Sequence, residues 1–258
     1  MAFQTIRLEI ENRIATLTLT RASSGNSIDE SLASELREAC AQLRQDDDVW
    51  VVVLTGEGDA FCRGADLSTF TDQNGSVLDN LRSLKVSESV AAIEKPVIAA
   101  LNGDAIDQGL ELALACDMRI ASEQASFGLT HVEHGLMPWD GGTQRLPRLI
   151  GRGAATEMIL TSRIMDAQEA LDIGLVNEIA EPDRVLEQAR QTASTIAGHG
   201  PIAARYLKEL VLKGLDMTLE QGLRLEADLN FILQSTSDRA EGIGSFLERR
   251  GTPQFRGQ

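Results

Sequence analysis

Two short loops and a few side chains hold most of the chemistry that residue type and spacing support in this sequence. The loops are Ala60–Leu67 (AFCRGADL) and Asn102–Glu111 (NGDAIDQGLE). Each follows an apolar run, WVVVLT and PVIAAL, and each leads toward a helical pattern. Loops leaving strand ends are where α/β proteins build sites. Backbone N–H groups at a helix start are unpaired, and the helix dipole adds positive potential there. Two such loops face to face could hold one oxyanion between two donors, worth about 3–4 kcal/mol per donor in acyl chemistry. The plain alternative is that their glycines only make turns. Glu111 sits within GLELALAC. A carboxylate among apolar residues is costly unless paired, which points either to function or to a tie with an Arg or backbone N–H groups. Of the three histidines, His131 and His134 lie in the run HVEH. That spacing invites a metal reading, but no further ligand lies nearby in sequence.

The elements that position these groups can be read from hydrophobic patterning. Thr5–Ile10 and Ile14–Thr20 read as strands of a hairpin around Glu11-Asn12-Arg13. A helix capped by Ser27 or Asn26 is expected to run through Leu43, with Leu32, Leu36 and Leu43 on one face. Trp50–Thr55 and Pro96–Leu101 are continuous apolar runs of the kind buried on both faces. A helix is expected at about 77–93, another at Gly109–Cys116, and short strands at Met118–Ala121 and Ser126–Gly128. Segments 141–161, 166–172, 183–198, 201–213 and 217–248 are helical in pattern, punctuated by Gly151, Gly174, Gly200 and Gly214. The expected organisation is an α/β core over 1–195 and a C-terminal helical region over 196–258, packed on the core or on a neighbouring subunit.

Composition bounds the function. The chain of 258 residues is long enough for one sizeable core. Its aromatic content of 4% makes that core aliphatic and alanine-rich. A net charge of -15, from 39 acidic and 24 basic residues, argues against general binding of nucleic acid or anionic membranes. No apolar run approaches the roughly 20 residues of a bilayer span. The opening MAFQTIRLEIEN shows no secretory leader, and three cysteines at unrelated spacings predict buried thiols in a reduced compartment. A cytoplasmic protein is expected.

Several long segments resemble one family. AFCRGADL is similar to the AFxAGADL segment of the crotonase (enoyl-CoA hydratase/isomerase) superfamily. KPVIAALNGDAIDQGLELALACDMRIAS resembles its KPxIAAxxGxAxGGGxELALxCDxxIAS stretch. The block from FGLTHVEHGLMPWDGGTQRLPRLIG to EALDIGLVNEI and the tail GIGSFLERRGTPQFRG follow in family order. The resemblance implies a crotonase-like ββα spiral core with a C-terminal helical trimerisation region, assembled as a homotrimer or dimer of trimers. It implies an acyl-CoA thioester substrate whose enolate oxygen sits between two peptide N–H groups, here those of Ala65 and Gln108. Gly64 and Asp66 would flank that pocket. No metal or redox cofactor is implied, coenzyme A being part of the substrate.

The departures from the family pattern are as informative. The three-glycine run reads Asp107-Gln108-Gly109, so Gln108 must turn its side chain away to leave the oxyanion site open. Asp107 brings a negative charge that is unhelpful beside an enolate unless it caps the helix. Glu111 holds the place of the first hydratase glutamate, a general base for water. The second glutamate's place is taken by His131, whose near-neutral pKa suits an acid or a base. Glu133 is a reserve carboxylate only if its segment is extended. Asp140 falls near a position that is acidic in some isomerase, hydrolase and dehalogenase relatives; it is either a further catalytic group or the cap of the helix near Gly142. Trp139 either floors the acyl pocket or packs structurally. Arg21, Arg63, Lys208 and Arg249 are candidates for coenzyme A contacts. The expected function is an acyl-CoA lyase hydrating a 2-enoyl-CoA, or dehydrating a 3-hydroxyacyl-CoA. The alternatives are an enoyl-CoA isomerase, an acyl-CoA C–C hydrolase or a non-catalytic homologue.

Overall fold

A computed structural model describes residues 3–66 and 82–258 of the chain. Strands β1 (Ile6–Glu11) and β2 (Ile14–Leu19) pair antiparallel. Asn12 and Arg13 close them with φ of 52° and 69°. Two consecutive left-handed residues match the twist of a two-residue hairpin. The first helix, α1 (Glu30–Gln45), begins later than its sequence suggests. Its cap is Asp29, whose carboxylate accepts from the Leu32 N–H at 2.8 Å. Asn26 is instead buried, its amide donating to the carbonyls of Glu57 and Ala60 at 3.0 and 2.8 Å. A tertiary partner there outcompetes the local cap.

Three successive strand pairs build the body: β3 (Val51–Gly56) with β4 (Ala60–Cys62), β5 (Val97–Leu101) with β6 (Asp104–Ile106), and β7 (Met118–Ser122) with β8 (Ser126–Gly128). The first strand of each pair joins a six-stranded sheet of order β1-β2-β3-β5-β7-β10, and the second joins a four-stranded sheet of order β4-β6-β8-β9. The short strands β9 (Met165–Asp166) and β10 (Glu178–Ala180) close the two sheets. Neighbouring units stack in parallel register, with Val52 beside Val97 in one sheet and Ala105 beside Phe127 in the other. That repetition makes a spiral of ββα units. β3 and β5 are buried on both faces apart from the end residue Gly56, as their unbroken apolar runs require. Phe61, Leu54 and Phe127 fill the principal core.

Helices α2 (Ser87–Ala91), α3 (Gln108–Leu114), α4 (Gly142–Ile150), α5 (Arg152–Thr161) and α6 (Ala167–Asp172) complete the spiral. The helix expected at 77–93 is interrupted in its described part at Leu84–Val86, and only Ser87–Ala91 form α2; residues 77–81 lie outside the described residues. Gly151, at φ 82°, divides α4 from α5. Then follow α7 (Val185–Ala197), α8 (Pro201–Gly214), α9 (Leu219–Leu233) and α10 (Ser237–Glu248). Helix α7 buries Val185, Ala189 and Ala193 against Val51, Val53 and Ile98 on the large sheet. Cys40, Cys62 and Cys116 are free and buried, their thiols pushed up to about 12 by desolvation. Among the described residues no helix is long and apolar enough to cross a membrane.

Candidate active site

The small sheet brings the two loops together. Ile28 bridges Ala65: the Ile28 N–H donates to the Gly64 carbonyl at 2.8 Å, and the Asp66 N–H donates to the Ile28 carbonyl at 2.9 Å. Backbone groups alternate in direction along an extended segment, so the Ala65 N–H points away from Ile28. Gly64 takes φ +91°, and a Cβ there would stand 3.4 Å from the Gln108 nitrogen and 3.0 Å from the Asp107 Cβ. Gln108 opens α3, and neither its N–H nor that of Ala65 donates to another described residue. Two adjacent loops thus each present a backbone donor, the arrangement that stabilises a developing oxyanion. Gly109 lets α3 lie directly on β4, because a Cβ there would collide with the Cys62 carbonyl oxygen.

The Gln108 side chain is fully buried and turned to other partners. Its Nε2 donates to the Leu84 carbonyl at 2.6 Å and to Asp140 Oδ2 at 3.1 Å. Asp140 Oδ2 also accepts from the N–H groups of Val86 and Ser87 at 2.9 and 3.0 Å. Asp140 therefore does not cap the helix near Gly142; it sits at the N-terminus of α2 and ties residues 84–87 to the site. Asp107 does not cap α3 with its side chain either. At φ 51°, ψ -124°, its carboxylate instead accepts from the N–H and hydroxyl of Thr130.

Glu111 is wholly buried on α3. Its Oε1 accepts from the N–H of Asp140 at 2.9 Å and of Gly142 at 2.7 Å. That approach depends on Gly142, since a Cβ there would come within 3.0 Å of Oε1. Oε2 has no hydrogen-bond partner among the described residues and faces His131 Nε2 at 3.8 Å. Burial drives the Glu111 carboxyl up to about 7, against the opposing pull of the N–H groups of Gly142 and Asp140. His131 is 2% exposed, and burial lowers its pKa while the Asp107 carboxylate pulls it back up. Its ring meets Trp139 edge-on, with centroids 4.9 Å apart and planes at 84°. The segment is a 3-10 turn over His131–His134, so Glu133 turns outward and is exposed, as is His134. A carboxylate with one oxygen held and the other facing an imidazole, near two loops that each offer a backbone N–H, has the groups needed to move a proton.

The cation candidates divide by environment. Lys208 is 8% exposed at its side chain; its ammonium contacts Asp117 at 2.7 Å and donates to the carbonyls of Ile93 and Lys95 at 2.7 and 3.0 Å. Arg21 is half-buried, paired with Asp29 at 2.9 Å and donating to the Ser27 carbonyl. Arg63 is exposed and pairs with Asp104 at 3.2 Å, and Arg249 is exposed at the end of α10. Replacing Lys208 by Met is expected to cost about 3–5 kcal/mol, because Asp117 is left without its cation. Thermal unfolding reads the loss, while the KM for an acyl-CoA stays where it was; a raised KM at unchanged stability would make Lys208 a ligand instead.

Spiral and site together define an acyl-CoA-processing fold of the crotonase type. The chain belongs to the enoyl-CoA hydratase/isomerase family, which matches residues 9–258. It is 36% identical over 253 residues to a crotonyl-CoA hydratase from Syntrophomonas wolfei, covering 97% of each chain. It is 39% identical to an (E)-benzylidenesuccinyl-CoA hydratase from Thauera aromatica, covering 98% of this chain and 99% of the other. The crystal structure of an enoyl-CoA hydratase from Bacillus anthracis superposes with a TM-score of 0.93 at 39% identity, covering 99% and 100%.

Proposed function

We propose that this protein is an acyl-CoA lyase that hydrates a 2-enoyl-CoA to a 3-hydroxyacyl-CoA. The observation that carries this reading is the buried Glu111, with Oε1 fixed by two N–H groups and Oε2 facing His131. The N–H groups of Ala65 and Gln108 hold the thioester oxygen as negative charge develops on it. Glu111 takes a proton from water as the water oxygen bonds to the β-carbon, and His131 delivers a proton to the α-carbon. Trp139, Gly64 and Asp66 line the acyl side, and Trp139 restricts chain shape. Asp140 acts by holding Gln108 and α2 rather than by touching substrate. Arg21, Arg63 and Arg249 are the candidates for the coenzyme A end. No cofactor or metal takes part in this scheme.

The same reading extends to assembly. Leu207, Val211, Leu219, Phe231 and Phe246 on α8, α9 and α10, with Leu215 just after α8, are 62–83% exposed. So much apolar surface on one helical region supports burial between copies. Residues 196–258 then form the assembly region of a homotrimer or dimer of trimers on a 1–195 core. Buried, unpaired thiols support a reducing, cytoplasmic setting.

Mass spectrometry of the protein incubated with enoyl-, dienoyl- and cyclic acyl-CoAs tests the assignment. Gain of one water by an enoyl-CoA is the expected result; free acid or a ring-opened product would replace hydration by hydrolysis, and an unchanged mass with a double bond shifted by NMR would replace it by isomerisation. The pH dependence is a second expectation. The competent site holds one proton between Glu111 and His131, so kcat/KM should fall on the basic side of about 7, where the pair gives up that proton, and again in acid, where the pair takes up a second one. A basic limb far from about 7 would detach the rate from the Glu111–His131 pair.

A further inference from the structure

We propose that Asp107 is a positioning residue for catalysis, completing an Asp107–His131–Glu111 proton relay. The proposal rests on the hydratase reading above. Asp107 stands where the family resemblance places a glycine, and it holds a conformation, φ 51° and ψ -124°, that side chains rarely adopt. Strain of this kind persists only when surrounding structure enforces it, and it gathers at working sites. Here the enforcement is visible. The Asp107 N–H donates to the Gly128 carbonyl at 2.8 Å, and Thr130 donates to its carboxylate. The strained turn delivers Asp107 Oδ1 to 3.2 Å from His131 Nδ1, in ion-pair contact though off the line of a hydrogen bond. On the other edge of the same ring, Nε2 faces Glu111 Oε2 at 3.8 Å. Glu111 Oε2 and both imidazole nitrogens are buried with no hydrogen-bond partner among the described residues. Catalytic hydrogen bonds are often long in a free site and tighten once substrate is bound.

The chemistry gives Asp107 a defined task. Glu111 and His131 share one proton, and hydration needs it on the imidazole. From that state the water oxygen bonds to the β-carbon and its proton passes to Glu111, while the C=C electrons move onto the thioester oxygen. The enolate then returns its electrons to the α-carbon, which takes the Nε2 proton. Glu111 ends protonated and His131 neutral. Transfer of the Oε2 proton to Nε2 restores the start with atoms and charge balanced. Burial alone favours the two neutral forms, in which Glu111 is not the base and His131 is not the acid. A carboxylate at Nδ1 offsets this by favouring the imidazolium, and it keeps Nε2 turned toward Glu111.

The other charges around the ring do not supply that field. His134, on the same turn, would oppose a second positive charge when protonated. Asp140 lies behind Glu111 and raises the latter's pKa. Helix α5, packed on the turn, carries Arg152 and Glu157, both exposed, with Glu157 paired to Arg163 at 3.3 Å. Asp104, on β6, is paired with Arg63.

The test compares Asp107→Asn with Asp107→Gly, which relieves the strained backbone. Two readouts are taken: the full-length protein's histidine ring nitrogens by NMR across pH, and hydration rates across the same range. Only three histidines need assigning. Both variants are expected to lower the His131 pKa by about one unit or more. Both should lower kcat by about tenfold to a hundredfold, move the basic limb to lower pH and leave KM little changed. If Asp107 only shapes the turn, Asp107→Gly will keep the wild-type titration and pH profile, and the relay is overturned. A wild-type protein that hydrates no enoyl-CoA overturns the underlying reading instead. Hydration with an unmoved His131 titration in both variants overturns the relay alone.

Discussion

Glu111→Gln is expected to lower kcat by about a hundredfold or more while the protein stays folded. The amide keeps an oxygen to accept from the N–H groups of Asp140 and Gly142, so the anchoring of α4 survives. What disappears is the basic oxygen facing His131, and loss of a general base typically costs 10²–10⁴-fold. Stability should move the other way, with a defined sign. The folded-state value, about 7, lies above the ordinary 4.5, so the fold favours the protonated carboxyl. Wild type is therefore at its most stable, as far as Glu111 contributes, below 4.5, and loses that contribution as pH rises through about 7. A gap of this size corresponds to about 3 kcal/mol. Glu111→Gln has no such dependence, so its Tm should gain on wild type between these pH values and run parallel above them. Loss of absorbance of a conjugated enoyl thioester measures the rate, and thermal melts across pH measure the rest. Wild-type turnover by the variant would remove Glu111 from the mechanism.

Gly109→Ala is expected to damage both fold and rate through a single methyl group. A Cβ there meets the Cys62 carbonyl oxygen on β4, so α3 must move away from the strand. Neither partner is a flexible side-chain end. Overpacking of this kind costs about 1–3 kcal/mol, occasionally more. The same shift spreads the Ala65 and Gln108 N–H groups, which sit on the two separated elements. Loss of one oxyanion donor lowers kcat by roughly 10²–10³-fold. The decisive comparison is Gly153→Ala, where a Cβ meets nothing and activity and melting should remain as in wild type. Equal behaviour of the two variants would show that the close approach at Gly109 does not set the donor spacing.

Much of the scaffold was legible because period and length are local properties. The apolar runs WVVVLT and PVIAAL became β3 and β5, and the glycine breaks at 151, 174, 200 and 214 fell at or beside helix ends. The small sheet was harder to read. β6 and β9 went unseen, and β4 was hidden within a loop; strands of two or three residues carry no periodicity. Yet β4 and β6 aim the Ala65 and Gln108 loops at one another. Sequence pattern placed an active segment at each loop but not the sheet that joins them.

The site residues divide in the same way. Residue type and neighbourhood alone singled out Glu111 as a costly carboxylate; His131 as its companion came from the resemblance. The segment resemblance placed them at corresponding family positions. Only tertiary structure decided that Asp140 serves α2 and Gln108, that Lys208 faces Asp117, that Glu133 turns outward, and that Asp107 reaches His131. The reason is physical. Which groups exist, and what each can do with a proton, are properties of the residues and their immediate neighbours. Which of them meet is set by backbone turns at positive φ and by hydrogen bonds between segments 23 to 115 residues apart. Local sequence pattern contains no term for those pairings until the spiral has closed.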